Sequence, residues 1–193
     1  MSKKSILLIL VLLFVSLGTL MAVEAELQPP SVVKVEQGFS VFDIGITNKM
    51  PLNAITGADF TKYIPGIRLQ WNVLSWFGVA ADVEALSYDF DGQKYDLALG
   101  FTAILRAPIK FVEPYLGIGS SSGIHFEGGN VTSPASLYRV HLKTGIDFNI
   151  LKWLGLGLEA TLWTPDPVFF FGNMTGDLLL DHLDVGINVK FRF

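Results

Sequence analysis

Cysteine is absent from the 193-residue chain. That excludes disulfides, thiol nucleophiles, thiolate metal sites and lipid attachment at a lipoprotein cysteine. Histidine occurs three times, at widely spaced positions, so no metal-binding cluster is legible and no cofactor is expected. Beyond residue 25 no apolar run approaches the ~20 residues that a membrane-crossing helix needs. An excess of basic residues is missing too. Taking Lys3, Lys4 and Glu24 away with residues 1–25 reduces 14 basic and 18 acidic residues to 12 and 17, a net charge of −5. A nucleic-acid partner would favour a basic face, and none is expected.

What is present is hydrophobicity, dispersed. Half of the residues are hydrophobic and the mean hydropathy is +0.45. One continuous run sits at the start: Lys3 and Lys4 precede Ile6 to Val15, followed by Ser16, Gly18, Thr19 and the small-residue site Val23-Glu24-Ala25. This is the layout of a secretory signal peptide cut after Ala25, leaving 26–193 as the mature domain. The competing reading, an uncleaved anchor over Ile6 to Val23, suffers from the shortness of the apolar heart.

Elsewhere the apolar residues alternate. In Asp184 to Phe193, Val185, Ile187, Val189, Phe191 and Phe193 share one face, while Asp184, Gly186, Asn188, Lys190 and Arg192 share the other. Period two is the signature of a strand with one apolar and one polar wall. The same alternation sets Ile67, Leu69, Trp71 and Val73 against Gly66, Arg68, Gln70 and Asn72. It sets Leu97 to Leu105 against Asp96 to Arg106, and Val140, Leu142 and Ile146 against His141, Lys143 and Asp147. Similar segments begin near Val79, Val112 and Leu154, and a first strand covers Phe42 to Thr47 with its phase unresolved by the neighbouring Phe39 and Val41. The count is eight. Short connections at Ser75-Trp76, Ala107-Pro108 and Lys152-Trp153 alternate with longer ones over Asn48 to Lys62, Ser120 to Ser136 and Thr164 to Asp181, plus a tight Asp91-Gly92 hairpin. An all-β, eight-stranded antiparallel transmembrane barrel, wound as an up-and-down meander, accounts for this pattern. A soluble up-and-down barrel would have its apolar face inside.

One segment recurs. Asn72 to Val79 and Asn149 to Leu156 share a pattern that places Trp76 and Trp153 at short turns, where interfacial aromatics belong. Pro114-Tyr115-Leu116-Gly117-Ile118-Gly119 after Lys110 to Glu113, the sixth strand and the aromatic-ended closing strand together resemble small bacterial outer-membrane barrels of the OmpX, OmpW and OmpA-domain type. The resemblance implies residence in the bacterial outer membrane as a monomer, with membrane lipid and the barrel-assembly machinery as partners. It implies an assembly signal at Val189, Phe191 and Phe193.

Function is less legible. Inward charges are expected to pair, Arg68 with Glu84 and Lys143 with Glu159, because unpaired charge in a narrow lumen is costly. The Ser122, His125 and Glu127 group is similar to the triad used by some lipid A-modifying barrels, yet such residues recur readily in a Gly/Ser-rich loop, so no catalytic residue is assigned. Phe169, Phe170 and Phe171 form an apolar loop site, either packed on the rim or offered to an unidentified surface or host ligand. The reading is a non-enzymatic outer-membrane barrel serving envelope integrity or surface contact through its loops. The alternative is a narrow conduit for small hydrophobic molecules, as the OmpW resemblance implies; a lipid-modifying enzyme comes third.

Overall fold

The computed structural model describes residues 40–193 apart from 90–93, 108, 110, 134–137 and 174, and apart from the Phe171 side chain. The expected signal peptide, the lead before the first strand and the Asp91-Gly92 turn lie outside the described residues. Among the described residues nine strands form: β1 (Phe42–Pro51), β2 (Ile64–Asn72), β3 (Phe77–Asp89), β4 (Lys94–Arg106), β5 (Val112–Glu127), β6 (Asn130–Thr132), β7 (Arg139–Leu151), β8 (Leu154–Thr164) and β9 (Leu183–Arg192). Eight build the wall. Each pairs antiparallel with its sequence neighbour, and β1 pairs with β9 to close the ring. The ninth, β6, is a short return of β5 above the wall, turned by Gly128 and Gly129 at φ +55° and +85°. Positive φ at both central residues suits a tight two-residue hairpin and glycine adopts it freely.

Closure matters because lipid offers no hydrogen bonds to a free strand edge. Phe193 supplies the last link: its carbonyl accepts from the Val41 N–H at 3.0 Å, and its own N–H donates to the Phe42 carbonyl at 2.9 Å. The phase of β1 is settled as well. Asp43, Gly45, Thr47 and Lys49 are buried inside, whereas Phe42 and Ile46 face outward.

The wall is apolar outside and polar inside. Phe101 is 72% exposed, while Arg68 is 1% exposed. Leu69, Val83, Leu116, Leu158 and Ile187 join Phe101 in the outer belt. The buried set contains Asp43, Lys49, Arg68, Asp82, Lys143, Asp147, Glu159, Asp184 and Lys190. Among the described residues, no helix is long and apolar enough to cross a membrane; the strands cross it. At the end with the short turns, Trp76 and Trp153 are exposed, and Trp153 stacks on Phe191 with ring centroids 6.4 Å apart.

The connections at the other end are more ordered than their sequence suggests. Strand β1 reaches Pro51 and runs into α1 (Leu52–Thr56). The connection from β8 to β9 folds into α2 (Pro167–Gly172) and α3 (Gly176–Asp181). Asp166 caps α2 by accepting from the Phe169 N–H at 2.9 Å, with Pro167 at the first helical position. Thr175 caps α3 in the same way at 3.2 Å. Both are favoured helix starts.

Candidate functional site: the charged lumen and the outer rim

Alternation sends every second side chain of eight strands into one narrow space, so the lumen is built from the polar half of each strand. At its centre stands Arg68 of β2. Its Nε donates to Asp82 Oδ1 at 2.5 Å, and its two terminal nitrogens donate to both oxygens of Glu159 at 2.6 and 2.9 Å. This planar fork on a carboxylate is the geometry that guanidinium favours. Lys143 donates to the other Asp82 oxygen at 2.7 Å. Lys49 bridges Glu84 and Glu159, the latter at 3.3 Å. Tyr115 donates its hydroxyl to Glu159 at 2.6 Å. Three cations, Lys49, Arg68 and Lys143, thus balance three carboxylates, Asp82, Glu84 and Glu159. The cluster is neutral and spans the lumen.

The expected ion pairs require correction. All four residues enter the lumen, but neither Arg68–Glu84 nor Lys143–Glu159 forms among the described contacts. The β2–β3 turn pairs Leu74 with Phe77, yet the ladder beyond it pairs Asn72 with Gly78. That one-residue slip puts Asp82 opposite Arg68 and Gly66 opposite Glu84. Lys143 lies opposite Thr161 and Glu159 opposite Gly145. Long side chains then reach across the lumen to strands that are not their neighbours. Gly145 makes this feasible, because a Cβ there would come within 2.5 Å of the Tyr115 ring. Lys49 was missed by sequence reasoning, since Asn48-Lys49-Met50-Pro51 resembles the start of a loop; the continued alternation Asp43, Gly45, Thr47, Lys49 was the available signal.

Further polar contacts lie on both sides. Toward the short-turn end, Lys190 pairs with Asp147, and Arg192 approaches Glu113 at 3.4 Å. Asn149 donates to Glu113 at 2.9 Å. Toward the folded connections, Thr102 and His141 share a hydrogen bond of 2.9 Å. The cavity left between the cluster and Trp163 measures about 20 Å³, room for roughly one water.

The rim carries the remaining candidates. Ser122 lies opposite Leu99 on the outward face of β5, whereas His125 lies opposite Asp96 on the inward one. Ser122 contacts Ser133 at 3.4 Å, while His125 joins Asp96 at 2.6 Å and Glu127 at 3.4 Å. A nucleophile must reach its base; here the sheet separates Ser122 from His125. Their outer strand extension passes the last β5–β7 pair, Ser121 with Arg139. There the hydrogen bonds to Asp96 and Glu127 raise the His125 pKa, and those from Lys94 and His125 lower that of Glu127.

The apolar loop residues part company. Phe170 is 1% exposed and lies 5.2 Å from the His182 ring, which in turn lies 4.8 Å from Trp163. Arg139 covers the Trp163 ring at 3.9 Å. Val168 and Phe169 face solvent, 86% and 60% exposed. So α2 packs Phe170 onto the barrel rim and presents the preceding apolar pair, Val168 and Phe169, outward.

No protein-family model matches the chain, and no curated protein matches it. Solved structures do. The chain is similar to the N-terminal β-barrel domain of OprF from Pseudomonas aeruginosa, with a TM-score of 0.56 and 11% identity over 81% of this chain and 100% of that one. It is similar to the de novo designed TMB2.3, with a TM-score of 0.51 and 10% identity over 82% of this chain and 98% of that one. The likeness is one of fold. An apolar wall, a charged interior, short turns at one end and folded connections at the other make this an eight-stranded transmembrane β-barrel.

Proposed function

We propose that this outer-membrane barrel is a closed, non-catalytic membrane scaffold whose work is done by its outer connections, in surface contact or envelope integrity. The neutral cluster around Arg68 carries the reading: it spans the lumen and leaves about 20 Å³ beside it. An ion would have to break buried pairs to pass. Shedding its own water in such a space adds to the barrier. The exposed Val168 and Phe169 and the hairpin built on β6 are then the parts available to a partner. The partners on this reading are outer-membrane lipid and, during insertion, the assembly machinery, to which Phe191 and Phe193 offer the aromatic end of the closing strand.

Planar-bilayer recording tests this. Purified monomer is expected to give no stable, water-filled conductance across the physiological pH range. Large, persistent single-channel steps from a monomer would overturn the closed reading and favour the conduit.

A further inference from the structure

The connection from β8 to β9 combines uncompensated charge with exposed apolar surface. Residues 164–182 contain three aspartates, Asp166, Asp177 and Asp181, and neither lysine nor arginine. All three are exposed, and no ion pair offsets them among the described residues. Exposed acids elsewhere at this end do meet a cation: Asp59 meets Lys62, and Glu127 meets Lys94. On the same connection Val168 and Phe169 face solvent. The surface is also held in place. Phe170 is buried against His182, Asp166 and Thr175 cap the two helices, and Asn53 of α1 donates to Asp181 at 3.1 Å. A surface ordered beforehand loses less freedom when a partner arrives.

We infer that this connection docks a cationic amphipathic segment of another protein, which sets lysine or arginine against the aspartates and an apolar face on Val168 and Phe169. The inference rests on the reading that the outer connections do the work of the barrel, and it names the partner's chemistry. Charge decides among the occupants. A nucleic acid, or a phosphorylated or sulfated chain, meets like charge here. A second copy of this chain, joined through the same surface, sets the same aspartates against one another. A small polyamine satisfies the carboxylates but leaves Val168 and Phe169 in water. A segment with one basic and one apolar face matches both halves of the surface.

The test uses the full chain in phosphatidylcholine nanodiscs and a synthetic Lys/Leu peptide patterned as an amphipathic helix, bearing a fluorophore or a benzophenone. Anisotropy, corrected with empty nanodiscs, is expected to show saturable binding that weakens as salt is raised. Cross-linking followed by trypsin is expected to concentrate the label on fragment 153–190. Asp166→Asn/Asp177→Asn/Asp181→Asn keeps the acceptor oxygens of the helix cap and of the Asn53 contact, and is expected to weaken binding about tenfold. Val168→Ser/Phe169→Ser, altered only at exposed sites, is expected to weaken it to a similar extent while the heat-modifiable folded form is retained. Undiminished binding in either variant, or label spread evenly over the chain, would overturn the docking surface. A Glu/Leu peptide that binds as tightly as its Lys/Leu counterpart would overturn the cationic partner. The closed-scaffold reading is tested separately by conductance, so a non-conducting barrel that ignores the peptide removes this inference alone.

Discussion

Arg68 shows why single residues matter in this barrel. It is held by two carboxylates and is 1% exposed, so removing it leaves Asp82, Glu84 and Glu159 with only Lys49 and Lys143, one uncompensated negative charge in a space with little water. Truncating one partner of a buried ion pair costs about 3–5 kcal/mol, largely because the other charge stays buried. Arg68→Met is expected to lose that much in urea unfolding from lipid vesicles. Adding Glu159→Gln to Arg68→Met is expected to recover part of the loss, since the second change removes a stranded charge. Strictly additive effects would show that the two residues do not act as a unit. The inward position of Arg68 was legible from the alternation of β2 alone. Its partner was not, because a two-residue difference in the β2–β3 register separates Asp82 from Glu84 opposite Arg68, and nothing local in the sequence encodes that register.

At the scale of elements, the strands were readable and the outer connections only in part. Period two carries the wall, but it also ran further than expected, taking in Lys49 and the outer ends of β4 and β5. The helices of the last connection had a signal in Asp166-Pro167, an N-cap followed by proline at the first helical position, and in Thr175 before Gly176-Asp177. The neighbouring phenylalanine run carries no helical periodicity of its own. The outer extension of β4, β5 and β6 carries its own chemistry. His125 faces Asp96 and Glu127; Ser87 donates to Asp96 at 2.6 Å, and Lys94 holds Glu127. The carboxylates raise the His125 pKa above its ordinary 6.5. A raised folded-state value means that the clamp contributes fully below about pH 6.5 and is lost as pH climbs through the folded value. Amide hydrogen exchange at Ile124 and Phe126 is therefore expected to accelerate, beyond its intrinsic pH dependence, between mildly acidic and mildly alkaline buffer. His125→Gln is expected to remove that extra dependence. An equal pH response in the variant would assign the effect elsewhere.

For the whole molecule, the decisive property is sidedness. A soluble barrel and a membrane barrel can share strand count, tilt and meander, and differ only in which half of each alternation faces out. Here the outward half is Leu69, Phe101, Leu142 and Val189 with their neighbours, and the inward half holds Arg68, Asp82, Lys143 and Glu159. In water such an arrangement would expose its apolar wall and bury its ions, losing on both counts. In lipid the same wall is solvated, every strand edge is paired by the β1–β9 closure, and the ions neutralise one another inside. Stability therefore depends on the surrounding phase more than on an apolar core; the buried hydrophobic cluster comprises Ala80, Ile104 and Tyr115. The chain has no cysteine, so single cysteines report without background. Placed at Leu69, Phe101, Leu142 or Val189 in reconstituted protein, each is expected to react with a lipid-soluble maleimide and to resist a charged, membrane-impermeant one. A cysteine at Val168, on the exposed face of α2, is expected to show the opposite preference. Should the four belt positions react with the aqueous reagent instead, the wall would be facing water and the membrane assignment would fall.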